Sequence, residues 1–296
     1  MAPTSNLRGI GCMIISAGAF VATDCCMKTV MDAAPPLQVL FMRGVAGTLW
    51  SALAVFALGY AAETHWLVNR WVIARALCEV VAVGSFVLAL AHMPLGDLTA
   101  IYQIAPLIVL VGAAWLFGDR IGPLRYGLIA LGFLGAMLVA QPGSSAASPY
   151  ALLGFLTAAG TATRDLVAKR ISPDAPAFIT GFSTIIVVML AAGLGGALTE
   201  TWKPPGGLHI GLMTLAGFLL IFGHFFVVTA YRIASIRAVA PFYYAFMVWA
   251  VIAGLFVFGD WPNRLALAGM ALIVASGLAI MLLEGRRDVV AAEGTP

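Results

Sequence analysis

Residues 24–35, Asp-Cys-Cys-Met-Lys-Thr-Val-Met-Asp-Ala-Ala-Pro, return in outline at 165–176 as Asp-Leu-Val-Ala-Lys-Arg-Ile-Ser-Pro-Asp-Ala-Pro. Asp24, Lys28 and Pro35 therefore recur as Asp165, Lys169 and Pro176, each 141 residues later. Phe117-Gly118-Asp119 recurs as Phe258-Gly259-Asp260 at the same offset. Apolar coincidences are cheap in a chain that is 62% hydrophobic, but only 10% of it is charged. Three matched charges at one offset mark two copies of one unit.

The solvent of that unit follows from composition. A mean hydropathy of +1.01 with 10% charge lies outside soluble domains, which carry about 25% charged residues. A membrane helix needs roughly 20 apolar residues. Ten such spans are expected, at about 9–30, 36–58, 69–91, 97–117, 123–140, 150–168, 176–198, 209–231, 236–258 and 264–283. They leave short connections and no soluble domain. The apolar runs are twice the length of a transmembrane strand and do not alternate, so a β-barrel is excluded. The first span is read as retained rather than as a cleaved signal, because its apolar core is long and no small-residue cleavage site follows. The fold class is an all-α membrane protein.

Eleven Lys and Arg fall on one side of these spans (Arg8, Arg70, Arg75, Arg120, Arg125, Lys169, Arg170, Arg232, Arg237, Arg286 and Arg287). Three fall on the other: Lys28, Lys203 and Arg264. The bias places both termini in the cytoplasm. An offset of 141 residues holds five spans, an odd number, so the second copy enters the membrane from the opposite face. That is the inverted repeat of many secondary transporters. The expected units are a first five-helix repeat over 1–140, a linker over 141–149, a second repeat over 150–285 and a polar, disordered tail over 286–296. Gly127 and Gly135 match Gly269 and Gly277 after a one-residue slip, and small residues so placed let helices approach closely.

Lys near the end of the first span, Pro36 then Arg43 opening the second, and an acid closing spans four and nine resemble the drug/metabolite transporter superfamily, in particular its ten-helix EamA branch. The stretch from Arg237 through Pro241-Phe-Tyr-Tyr244 to Trp261-Pro262 is similar to the ninth span of bacterial exporters of this group, most nearly those of the YddG type. Two departures stand out: both span-closing acids are Asp where Glu is commoner, and Arg43 has Thr184 as its repeat mate. The resemblance implies a basket of helices around a central cavity lined by spans one, three, four, six, eight and nine. It further implies alternating access by bending of spans four and nine, and export of small metabolites, amino acids including aromatic ones first, across the bacterial inner membrane. Carriage of adenine-derived metabolites or cationic drugs, in or out, is the alternative.

An ionisable group in hydrocarbon normally faces a cavity or a partner. Glu79, mid-span three, is read either as a substrate or proton contact or as an i,i+4 partner of Arg75. His224 in span eight either meets substrate or bonds a neighbouring helix. Tyr102 and Tyr243 are repeat mates, which inversion would set toward opposite faces as two gates; Tyr244 and Gln103 are secondary cavity candidates. Pro106 and Pro241 are hinge candidates, since each removes a helical hydrogen bond. Asp24/Lys28 and Asp165/Lys169 are read as i,i+4 pairs, and Arg43 and Arg164 either as groups that draw a substrate carboxylate or as donors to neighbouring carbonyls. Trp115, Trp202 and Trp261 are expected as interfacial anchors. Cys12, Cys25, Cys26 and Cys78 are packing residues, with no metal-ligand spacing and no cofactor expected. His92-x4-Asp97 matches an acyltransferase spacing, a remote membrane-enzyme alternative. The expected partners are a small-molecule substrate and the lipid bilayer, with no nucleic acid.

Overall fold

A computed structural model describes residues 3–117, 122–141, 148–234 and 236–293. Gly118 and Asp119 of the first Phe-Gly-Asp copy and most of the 141–149 linker lie outside these residues. The helices are α1 Pro3–Met31, α2 Pro36–Ala57, α3 Arg70–Leu90, α4 Leu95–Tyr102, α5 Ala105–Phe117, α6 Pro123–Ala140, α7 Ala151–Ala168, α8 Ala177–Thr199, α9 Gly207–Ile233, α10 Ile236–Val239, α11 Ala245–Ala253 and α12 Arg264–Glu293. A 3-10 helix, Tyr60–Val68, joins α2 to α3. Another, Ala240–Tyr244, joins α10 to α11, and a π turn, Gly254–Phe258, ends α11.

Eight stretches among the described residues are long and apolar enough to cross a membrane, against the ten expected. The sixth expected span forms α7, whose 18 residues include Arg164 and Asp165. The ninth is divided among α10, α11 and their irregular joins. The chain is a multi-pass membrane protein. The polar end differs from expectation too: α12 continues to Glu293, because Glu, Arg and Ala are strong helix formers.

Local chemistry sets the boundaries. Pro36 and Pro123 occupy the first turns of α2 and α6, where a missing N–H costs nothing. The Asn69 side chain accepts from the Trp71 amide at 3.0 Å and caps α3. Gly59 adopts φ +77 after α2, and Gly259 φ +71 after the π turn, conformations that favour glycine. The start of α2 is capped from another helix. Glu200, after α8, accepts from the amides of Leu37 and Gln38 at 2.9 and 3.0 Å, placing a carboxylate on the positive end of a helix dipole.

In lipid, helix association rests on close packing and interhelical hydrogen bonds. The principal neighbours are α1 with α9, α3 with α7, α6 with α12, α2 with α8 and α9, and α3 with α8; α5 with α7, α1 with α11 and α4 with α11 follow. Small residues sit where α6 meets α12 and where α3 meets α7. A Cβ on Gly135 would meet the Gly269 carbonyl at 2.7 Å, and one on Gly160 the Ala82 backbone at 3.0 Å. Gly127 meets nothing and Gly277 receives the Tyr244 phenol, so only Gly135 and Gly269 of the four matched glycines join α6 to α12. Hydroxyls tie the α1–α9 crossing and add to the α3–α7 one: Ser16 donates to the Gly223 carbonyl at 2.8 Å, and Thr157 lies 3.0 Å from the Ser85 hydroxyl. Ser16 and Thr157 are themselves repeat mates.

Candidate functional site at the crossing of two broken helices

The helix begun at Leu95 stops at Tyr102 and resumes at Ala105. Pro106 has no N–H to return to the Tyr102 carbonyl, and the chain bridges the gap with shorter bonds. Ile104 donates to Ile101 at 3.2 Å, and Leu107 to Ile104 at 2.9 Å. The partner break is the 3-10 helix that carries Pro241 and Tyr243. Both hinge candidates therefore sit at helix discontinuities.

The breaks meet. Tyr102 and Tyr243 share a hydrogen bond, Oη to Oη, of 2.9 Å. Fully buried Gln103 donates from Nε2 to the Tyr243 carbonyl at 3.4 Å, while its Oε1 has no partner. The expectation of two gates at opposite faces is thus corrected: the two tyrosines form one central contact. The bends at both helix breaks carry their side chains inward, which counting residues along straight helices does not reveal.

Rings extend from this contact. Tyr102 lies 6.3 Å from Phe86 of α3 and 6.3 Å from Phe246 of α11, centroid to centroid. Phe246 lies 6.4 Å from Phe20 of α1, whose ring meets His224 of α9 edge-on at 5.0 Å. The result is a continuous belt, Phe86–Tyr102–Phe246–Phe20–His224. His224 Nδ1 is occupied by the Leu220 carbonyl at 2.7 Å, which leaves Nε2 as its free polar atom. Tyr244 does not join the belt. It is buried, packs on Gly277 of α12, and its hydroxyl has no partner.

Beside the belt lies an ion network. Arg164 Nη1 spans both oxygens of Glu79 at 3.1 and 2.8 Å, and Arg164 Nε and Nη2 each reach Asp165 Oδ1 at 2.8 Å. Glu79 therefore pairs across helices and not with Arg75, which donates to the Thr184 hydroxyl at 2.7 Å. Arg164 is held by two of the chain's own carboxylates, a partner that neither expected alternative named, and the planar guanidinium fork suits that role. Tyr102, Tyr243 and His224 all lie within electrostatic reach of Arg164. Arg43 is near Asp24 and Glu79, with its buried Nε unpartnered.

The i,i+4 reading of Lys28 is also corrected. Its ammonium donates to the Met93 carbonyl at 2.7 Å and to Asp260 at 3.4 Å, and it sits 5.0 Å from the Phe258 ring. Asp260 is the repeat copy of Asp119, so one conserved fragment of the repeat binds another. Asp165 likewise pairs with Arg164. The His92/Asp97 dyad does not assemble: His92 stacks on Tyr150 at 3.9 Å, and Asp97 Oδ1 has no partner. The four cysteines are free. Trp115 and Trp261 are exposed, at 84% and 82%, and Trp202 less so at 38%.

Residues 7–141 match the model of the EamA-like transporter family. The chain is similar to that family over this stretch, a little under half of its length. Its relatives include a riboflavin transporter of Rhizobium johnstonii, 29% identical over 97% of this chain and 95% of the relative. The pseudopaline exporter CntI of Pseudomonas aeruginosa is 24% identical over 92% and 95% of the two chains. An S-adenosylmethionine uptake transporter of Rickettsia conorii is 24% identical over 94% of each. These relatives are not specifically of the YddG type. A solved crystal structure, 19% identical, superposes with a TM-score of 0.61 over 97% of this chain and 99% of the other, a likeness of fold. The curated relatives named here are all transporters of small metabolites.

The belt phenylalanines were missed in the sequence. A signal existed, since each breaks the repeat: Phe20 faces Thr161 at the 141-residue offset, Phe86 faces Val227, and Phe246 faces Ala105. Glu79 (Leu220), His224 (Val83) and Arg164 (Thr23) break it in the same way.

Proposed function

We propose that this chain is an alternating-access carrier for a small metabolite with a flat ring and a polar or charged tail. The observation that carries the reading is the ring belt abutting the Glu79–Arg164–Asp165 network, at the point where two broken helices cross. Glu79, Tyr102, Gln103, His224 and Tyr243 line or support that site, with Tyr244 as packing behind it; Pro106 and Pro241 are the hinges. Six helices supply belt or network: α1, α3, α4, α7, α9 and α11.

The two halves are read as inverted repeats, with both termini cytoplasmic in a bacterial inner membrane. Support comes from residues that touch their own repeat mates. Tyr102 bonds Tyr243, and Thr48 lies 3.6 Å from the sulfur of Met189, both pairs 141 residues apart. A residue in contact with its own mate lies on the axis that exchanges the halves. The neighbours obey the same exchange, which turns the α1–α9 pair into α7–α3.

Magnitudes fit a ring-binding site. Burying about 200 Å² of ring, at roughly 25 cal/mol per Å², is worth about 5 kcal/mol, close to millimolar affinity on its own. Micromolar affinity needs about 3 kcal/mol more, the scale of one or two charge-assisted hydrogen bonds. Ring and tail must both be held. Riboflavin and S-adenosylmethionine, carried by the relatives so named, have this form, and aromatic amino acids form the second class because the ion network can meet a zwitterion.

Counterflow in proteoliposomes tests the proposal. Trans-loaded riboflavin, S-adenosylmethionine or tryptophan should accelerate uptake of its own labelled form, and a ringless amino acid such as glutamate should not. Equal exchange of ringless and ring-bearing compounds overturns the ring reading.

A further inference from the structure

A cavity of about 240 Å³ lies apart from the tyrosine crossing, between α2, the Tyr60–Val68 helix, α8 and α9. One wall is aromatic: Phe178 stacks on Tyr60 at 6.0 Å and 18°, and Phe182 continues that wall. Ser51 also lines it. This serine is 1% exposed and its hydroxyl has no hydrogen-bond partner, an unmet need that a buried polar group rarely tolerates without a ligand or water. Arg232 stands at the exposed rim and makes no ion pair among the described residues. His224 is shared, lining this cavity while its ring meets Phe20 at the end of the belt. Gly181 faces the cavity, and a Cβ there would meet nothing within 4 Å.

We propose that this cavity is a second binding site, a vestibule for an amphipathic anion. The ring lies along Phe178 and Phe182, the acid group (carboxylate or phosphate) meets Arg232, and a polar ring atom reaches Ser51. His224 then connects the occupant to the belt, a step that rests on the carrier reading above. The aromatic wall selects for a ring, and Arg232, without an ion pair among the described residues, for an anion. The vestibule therefore filters substrates by charge before the belt holds them by shape.

The test is thiol labelling of Gly181→Cys, with Thr229→Cys as a second cavity position and the unsubstituted chain as control for the native cysteines. Sealed membrane vesicles of both orientations are treated with anionic and cationic methanethiosulfonates of equal size. One unit charge within a Debye length favours the anionic reagent about fivefold in rate. That preference is expected only from the arginine-rich side, and Arg232→Gln removes it. Riboflavin 5′-phosphate should protect the thiol, riboflavin less so, and inorganic phosphate not at all.

The proposal is overturned if both positions are unreactive, if the cationic reagent reacts as fast, or if Arg232→Gln leaves the ratio unchanged. It is equally overturned if phosphatidylglycerol in reconstituted vesicles abolishes labelling where phosphatidylcholine does not, since a lipid headgroup then fills the cavity. Failure of the carrier reading looks different: no ring-bearing compound is exchanged, while labelling and its Arg232 dependence stand.

Discussion

Replacing Arg164 with Gln strands a carboxylate. Arg164 holds both oxygens of Glu79 at 3.1 and 2.8 Å, and the two side chains are only 18% and 16% exposed. Removing one member of a buried pair costs about 3–5 kcal/mol. Partial exposure here reduces that to about 2–3 kcal/mol. Asp165 adds little, because at 44% exposure water replaces much of what it loses. Arg164→Gln and Glu79→Gln should therefore each lower the melting temperature by about 4–9 °C in lipid nanodiscs, at about 2–3 °C per kcal/mol. The double variant leaves two neutral amides in contact and should fall well short of the sum, with a coupling of about 2 kcal/mol. Arg75→Gln, which loses only the Thr184 bond, should cost about 1–2 kcal/mol and leave the Glu79–Arg164 coupling intact. Scanning fluorimetry of the four variants decides the matter. Additive losses, or single variants within a degree of the parent, refute the cross-helix pairing and return Glu79 to its alternative partner one turn away.

Tyr102→Phe and Tyr243→Phe each remove the same bond, so each should cost about 1 kcal/mol and the double variant no more than either, read by the same melts. Gly277→Ala should sharply reduce folded yield because its methyl group enters the Tyr244 phenol, and Tyr244→Ala should restore it; Gly127→Ala, in open space, should leave yield unchanged. Lys28→Met should destabilise more than Asp260→Asn, because it also leaves the Met93 carbonyl without its donor, which chemical denaturation in detergent will rank.

The helices were legible in the sequence because apolar runs of about 20 residues mark them, and matched charges supplied the 141-residue offset. Asp24, Lys28 and Asp260 are too costly in lipid to recur by drift, and the offset they define also connects Tyr102 to Tyr243. The break near Pro106 was legible because a missing N–H acts locally. Partners were not. The i,i+4 rule offered Arg75 for Glu79 and Asp24 for Lys28, but their partners are Arg164 on α7 and Asp260 in the loop before α12, at separations of 85 and 232 positions. A pattern within one helix cannot rank such partners, since which faces oppose is a property of the packed bundle. The belt was hidden for another reason. Phe20, Phe86 and Phe246 look like ordinary lipid-facing or core phenylalanines until their repeat mates, Thr161, Val227 and Ala105, show that symmetry does not require them.

The most direct test of ring recognition is riboflavin counterflow in the Phe20→Leu/Phe246→Leu double variant, measured beside the parent at equal reconstituted density. Leucine keeps the bulk and apolar character of both positions, so packing is nearly conserved while two of the five belt rings are gone. The account predicts riboflavin counterflow by the parent and a loss of at least tenfold in apparent affinity in the variant, about 1.4 kcal/mol, with folding preserved. Undiminished counterflow in the variant would contradict it.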